Sequence, residues 1–216
     1  MSRVFLISNL RSTDADEAYV FHKAVTGRDS HIWPRTNEQI KQLANNGCLF
    51  AAREGRSGEI VALCYATLDG EVWEIGGLTV DPSVQKLGIG IMLARLALSH
   101  TFVYEQPHLN GQTVISHVHE DNAAPLRLLE HLGFKETGQV ELPGDQAPAS
   151  MKRNSKGMVV GKVFTFTNDG VRNLAIWFKD FNGMIADGVA AEVDLGPAKL
   201  SDLVIALKEI AATLKD

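Results

Sequence analysis

Glu74 to Gly90 reads E-I-G-G-L-T-V-D-P-S-V-Q-K-L-G-I-G, and the run I-M-L-A-R-L-A-L-S-H follows it directly. An apolar strand ends at Asp81-Pro82, a short loop carries Gln85, Lys86, Gly88 and Gly90, and a helix begins near Gly90. Glycines let a backbone approach an anion closely, and the first turn of a helix offers unpaired N–H groups and the positive end of its dipole. Lys86 adds a full positive charge. A Gly-x-Gly pair alone is a weak signal; its position between a strand and a helix makes this stretch a phosphate cradle.

Working outward, Val4 to Ile7 reads as a strand, and Thr13 to Glu17 supplies a cap and early acidic residues for a helix that closes at Gly27. Thr36 and Gln39 form a capping box for a second helix ending at Gly47. Cys48–Arg53, Ile60–Thr67 and Glu71–Val80 are β-prone runs joined by short turns, which predicts an antiparallel meander. After the Gly90 helix comes an irregular stretch, Val103 to Gly111, then a strand over Gln112–His119. Asn122 and Pro125 open a helix that Gly133 ends, and Phe134–Leu142 is again strand. The strand–helix–strand crossover makes Glu71–Val80 and Gln112–His119 parallel neighbours, so the sheet is mixed. Residues 143 to 157 are a loop by composition, and Met158–Thr167 is the next strand. Asn168-Asp169-Gly170 reads as a hairpin turn into a strand over Val171–Phe178, and Asn182-Gly183 as another into Met184–Val193. A final helix, capped by Ser201, sets Leu203, Leu207, Ile210 and Leu214 on one face.

Gly76-Gly77 interrupts an otherwise well-made strand, which fits a bulge or a close backbone approach, and a bulge here would splay Glu71–Val80 away from Gln112–His119. A wedge between parallel strands exposes N–H and C=O groups with which an extended amide chain can pair.

At 216 residues with 45% hydrophobic content the chain suits one domain with an appendage, and a net charge of -5 argues against nucleic acid or an anionic membrane surface as a partner. Cys48 and Cys64 lie in apolar runs without metal-ligand or disulfide-framework spacing, which points to a reducing cytoplasm and no metal. The apolar run at the N-terminus is too short for a signal peptide, and no run reaches membrane-spanning length.

With its order of strand, two helices, hairpin, glycine-loop strand, helix, strand and the segment N-A-A-P-L-R-L-L-E-H-L-G-F over Asn122–Phe134, the sequence resembles the GNAT superfamily of acyl-CoA-dependent N-acyltransferases. The likeness covers about residues 3 to 167. It implies an α/β (α+β) fold: a mixed, mostly antiparallel sheet, a V-shaped splay between two central parallel strands, and helices on both faces. Residues 1–167 would be the acetyltransferase domain and 168–216 a strand–helix extension that docks on it or completes a homodimer. The resemblance assigns Gln85, Lys86, Leu87, Gly88, Ile89 and Gly90 to the coenzyme A pyrophosphate, and Leu78, Thr79 and Val80 to the pantetheine arm. Asn122 would face that arm from the other side, with acetyl-CoA as co-substrate.

Transfer to an amine needs a group that takes the ammonium proton. Glu74 is the candidate base, because some members of the superfamily carry a glutamate at this distance before the first motif glycine. The tyrosine that many members use as general acid corresponds to Leu129. His117 and His119 share one face of their strand, and His119, nearer the C-terminal end, is the candidate relay. The expected function is N-acetylation of a small-molecule or peptide amine through a ternary complex. A catalytically silent acyl-CoA-binding module, and an interaction domain with an accidental glycine motif, remain the alternatives.

Overall fold

The computed structural model describes residues 3–27, 31–145, 147–148 and 151–214. Strand β1 (Arg3–Asn9) leads to helices α1 (Ala15–Thr26) and α2 (Asn37–Asn45). The meander β2 (Leu49–Glu54), β3 (Ile60–Asp69), β4 (Val72–Val80) precedes α3 (Ile89–His100), and a π-helical turn over Thr101–Glu105 continues α3. Then follow β5 (Thr113–His119), α4 (Ala123–Leu132), β6 (Phe134–Pro143) and β7 (Met158–Phe166). The chain ends with α5 (Asn168–Asp180), β8 (Met184–Ala186), β9 (Val189–Asp194) and α6 (Leu200–Thr213).

The strands of the described residues lie in one nine-stranded sheet, ordered β6-β7-β5-β4-β3-β2-β1-β9-β8. Two ladders are parallel, β4 with β5 and β1 with β9, and the others are antiparallel. The expected mixed, mostly antiparallel sheet is therefore present. Leu49–Ala52 and Ile60–Ala66 are buried at every successive residue. Neighbouring strand residues point to opposite faces, so both faces of the central sheet are covered. Helices α1 and α2 pack together against β2 and β3, whereas α3 lies along β2, β3 and β4 and is backed by α4 and α5. Phe5, Phe50, Leu63, Met92 and Leu96, each under 2% exposed, sit in this double-sided core.

The capping box at α2 forms as expected: Gln39 N–H donates to Thr36 Oγ1 at 3.2 Å, and Thr36 N–H to Gln39 Oε1 at 2.9 Å.

The C-terminal segment departs from expectation. Val171–Phe178 is helix, not strand, because Thr167 caps it: Gly170 N–H donates to Thr167 Oγ1 at 3.1 Å. Val171, Leu174, Ala175 and Phe178 form its buried stripe, a helical period that the Asp-Gly turn signal overrode in the sequence reading. Gly170 is there for space, since a Cβ would lie 2.6 Å from the Phe166 ring. The hairpin signal belongs to Asp187-Gly188, which joins β8 to β9, and not to Asn182-Gly183. The cap of α6 is Lys199, ahead of the expected Ser201. The extension thus holds two helices and a hairpin, and β9 extends the main sheet by pairing with β1 from Arg3↔Val189 to Ser8↔Asp194.

Candidate active site

β4 and β5 pair only over Val72↔Thr113, Trp73↔Val114 and Glu74↔Ile115, and then part. β5 continues through His119, paired on its far side with β7, so the splay opens immediately after Glu74. The cause lies in β4. Between the pairs Tyr65↔Gly76 and Leu63↔Thr79, β4 takes one residue more than β3, and Gly77 has a left-handed φ of +58°. A Cβ on Gly77 would lie 1.9 Å from Tyr65 Cε1, and one on Gly76 3.1 Å from Tyr65 Cε2. The two glycines give the Tyr65 ring room to lie across the strand while the bulge turns β4 away from β5. From Ile75 onward the β5-facing edge of β4 has no ladder partner.

β4 runs into the glycine loop. Asp81 Oδ1 accepts the N–H of Ser83 at 2.9 Å, fixing the turn, and Gln85 Nε2 donates to Val80 O at 3.2 Å. Lys86 (φ +63°) and Gly88 (φ +83°) are both left-handed, and Gly88 is the N-cap of α3. Such alternation turns backbone N–H groups inward as an anion nest, and the N–H groups of the first helical turn have no intrahelical acceptor. Gly90 lets α3 approach β4 closely: a Cβ there would lie 3.3 Å from Val80 Cγ2. A Cβ on Gly88 would come 3.0 Å from the carbonyl oxygen of Ile185, so the C-terminal hairpin abuts this loop.

A cavity of about 410 Å³ fills the splay. Glu74 and His117 meet in its wall, with His117 Nδ1 donating to Glu74 Oε1 at 3.1 Å and both side chains about a quarter exposed (26% and 27%). His119 is 8% exposed; its Nδ1 accepts the N–H of Asp121 at 3.3 Å, which leaves Nε2 as the protonated nitrogen, buried and without a partner. The loop between α1 and α2 brings Arg35 over the Tyr65 ring, with Nη2 donating to the phenol oxygen at 2.7 Å. Burial pushes the Tyr65 phenol up to about 12, with smaller effects from Arg35 and Glu74. Behind Arg35, the buried His22 accepts its backbone N–H through Nε2 at 3.1 Å, and burial pulls that imidazole down to about 4. Leu129 is buried in the opposite wall.

The structure brings Glu74, His119 and Asn122 into one cavity and sets Gln85–Gly90 at the mouth of α3. Leu78 and Val80 are half-buried, whereas Thr79 is fully buried with no partner for its hydroxyl, so only its backbone can serve an arm in the splay. Likewise Ile89 is buried and offers its N–H alone, while Gln85 and Lys86 are exposed and Leu87 is half-buried. Arg35, Tyr65 and the pairing of His117 with Glu74 are what the sequence reading missed. Tyr65 is a diagonal neighbour of Glu74 on one face of β3–β4, a relation that the strand register sets and no spacing in the sequence signals. Of the basic residues in the 143–157 loop, Arg153 donates to the carbonyls of Gly144 and Met151, and Lys156 pairs with Glu141. Cys64 and Cys48 are free thiols that burial pushes up to about 12 and about 11, which leaves them inert. No group of three or more His, Cys, Asp or Glu among the described residues could hold a metal ion, and no helix there is long and apolar enough to cross a membrane.

Many solved structures share this fold, and three of them serve as examples. The first is an acetyltransferase described as putative from Acinetobacter baylyi (TM-score 0.57, 13% identity, covering 77% of this chain and 93% of that one). NAA60 from Arabidopsis thaliana, solved with a bisubstrate analogue, gives 0.54 at 16% identity over 75% and 97% of the two chains. A ribosomal-protein-alanine N-acetyltransferase from Brucella melitensis gives 0.52 at 18% identity over 74% and 97%. No curated protein shows a significant match. The model of the GNAT acetyltransferase family matches residues 14–134, from α1 to the start of β6 and across the whole splay and glycine loop, and the chain belongs to that family.

Proposed function

We propose that the protein moves an acetyl group from acetyl-CoA directly to a primary amine bound in the same cavity. The observation that carries this reading is the opening of the β4–β5 ladder just after Glu74, continuous with the left-handed loop at the N-terminus of α3. The open edge of Leu78–Val80 suits a pantetheine amide chain, with Asn122 on the facing wall. The backbone of Gln85–Gly90, with Lys86 beside it, suits a pyrophosphate. Acetyl-CoA supplies an activated thioester carbonyl. The remaining work falls to the chain: edge N–H groups of β4 stabilise negative charge on the carbonyl oxygen, and Glu74, oriented by His117, accepts the proton of the attacking amine. A C–N bond forms, the C–S bond breaks, and the thiolate leaves: the unpartnered Nε2–H of His119 can hydrogen-bond it, and it takes its proton from water, to which Glu74 returns the proton of the amine. Two buried free thiols support a cytoplasmic setting.

Leu129 favours a second reading, a silent acyl-CoA-binding module, since it puts an alkyl chain where many relatives have a proton donor. Thiol release from acetyl-CoA, measured against amino acids, polyamines, aminoglycosides and peptide N-termini, separates the two. On the first reading Glu74→Gln lowers kcat/KM by about 100-fold or more at neutral pH and leaves acetyl-CoA affinity within about threefold. Tight acetyl-CoA binding with no thiol release on the whole panel would establish the second reading instead.

A further inference from the structure

Among the described residues, the Arg35 guanidinium meets a phenol and no carboxylate. Its Nε and Nη2 both donate to one neutral acceptor, the Tyr65 phenol oxygen, at 3.1 and 2.7 Å. Among the described residues no carboxylate oxygen lies within ion-pair distance of it, although Asp69 and Glu74 line the same cavity. A half-buried cation beside an apolar ring loses hydration that a phenol replaces only in part. Its fork geometry leaves further N–H groups for an incoming anion. Its position is fixed, because the buried His22 holds its backbone N–H and Tyr65 holds its side chain. Arg35 and Tyr65 also divide the splay cavity from a second one, of about 500 Å³, lined by Gln39, Gln42 and Asn46.

Glu74 and Tyr65 are diagonal neighbours on one face of adjacent strands, roughly 7–8 Å apart at the backbone. An amine within reach of Glu74 and an anion within reach of Arg35 therefore fit one small molecule. We propose that Arg35 and the Tyr65 hydroxyl form a carboxylate-binding subsite, so that the acceptor is a small primary amine carrying a carboxylate, of amino-acid size. A carboxylate is the anion that fits: it takes two parallel N–H bonds from the fork, and it adds less charge than a phosphate would beside Glu74 and Asp69. This inference rests on the amine-acetylation reading of the same cavity.

The test pairs glycine, alanine, phenylalanine and leucine each with its decarboxylated amine, at saturating acetyl-CoA. For at least one pair the wild-type kcat/KM should favour the carboxylated member by about tenfold or more. Arg35→Gln should cut that ratio by about tenfold, chiefly through KM, and Arg35→Lys, which keeps the charge and loses the fork, should fall between. A wild-type ratio at or below one for every pair overturns the subsite, whether or not the variants fold. So does an Arg35→Gln variant, folded by its thermal melt, that slows both members of a pair equally. Where no amine turns over, calorimetry of the coenzyme A-saturated protein decides: no tighter binding of any amino acid than of its amine overturns the subsite as well. Coenzyme A titration without a partner tests the underlying reading separately. Coenzyme A binding with no carboxylate preference sinks only the subsite, whereas failure to bind coenzyme A sinks both.

Discussion

His22 shows how a single side chain can set the pH range of this fold. It is 1% exposed and spends its Nε2 lone pair on the N–H of Arg35, so a proton on that nitrogen would have to break the bond and be buried. The folded value near 4 lies below the ordinary 6.5, so between those pH values the unfolded chain binds a proton that the folded chain refuses. Stability therefore falls as pH drops through this window, by about 2 kcal/mol at pH 5 from His22 alone. His100, lowered to about 4 by its own burial, acts in the same direction. Urea denaturation of the wild type at pH 7 and pH 5 measures the loss, and His22→Gln, which keeps an acceptor and cannot titrate, should flatten the profile. Equal midpoints for the wild type at the two pH values would exclude this account. Only below about pH 4, where folded His22 itself takes a proton, is its bond to the Arg35 N–H lost.

At the scale of elements, α5 depends on one hydroxyl. Thr167 Oγ1 accepts the N–H of Gly170 and donates to Gly133 O at 2.8 Å, linking the start of α5 to the glycine that ends α4. Thr167→Ala removes both hydroxyl bonds; a lost N-cap costs about 1 kcal/mol, and the Gly133 carbonyl, which keeps the backbone N–H of residue 167 at 3.2 Å, adds less. A fall of about 1–2 kcal/mol in unfolding free energy, with acetyl-CoA affinity kept within about threefold, is expected from chemical denaturation. A change below about 0.5 kcal/mol would mean that water replaces the cap. The same residue explains a misreading. Asn168-Asp169-Gly170 carries the composition of a hairpin turn, and Thr167 ahead of it carries that of a cap. The helical spacing of Val171, Leu174, Ala175 and Phe178 breaks the tie, because only a helix buries all four against the core. Trp177, half-buried, ties α5 to α3, with the Arg95 guanidinium 4.1 Å from its ring centroid.

Across the whole molecule, residues beyond 180 extend the sheet at the edge far from the splay. β9 covers the β1 edge along six paired positions, and Val189, Ala191, Leu203 and Leu207 are all buried. Two fully buried leucines alone contribute about 3–6 kcal/mol. Ending the chain after Phe181 should therefore cost at least about 5 kcal/mol and leave β1 as an open edge prone to pairing with other chains. Light scattering and the denaturation midpoint are the measurements, and a monomeric truncation with an unchanged midpoint would show that β8, β9 and α6 are an appendage. Their carbonyl contact under Gly88 gives the same truncation a second readout in coenzyme A affinity.

The sequence by itself determined the strand–loop–helix cradle at Glu74–Gly90, the capping box at Thr36, the parallel crossover and the bulge at Gly76-Gly77. Each is a local matter: a period, a cap or a glycine whose backbone needs are written in its neighbours. Only the tertiary structure decided that Tyr65 fills the bulge, that Glu74 is held by His117, and that among the described residues the His119 Nε2–H has no partner and Arg35 no carboxylate. Those partnerships join residues far apart in the chain through strand register and loop placement, and no spacing within the sequence encodes which side chains two different strands bring face to face. The path of the C-terminal segment belongs with them, because β9 is set by the free edge of β1, at the opposite end of the chain.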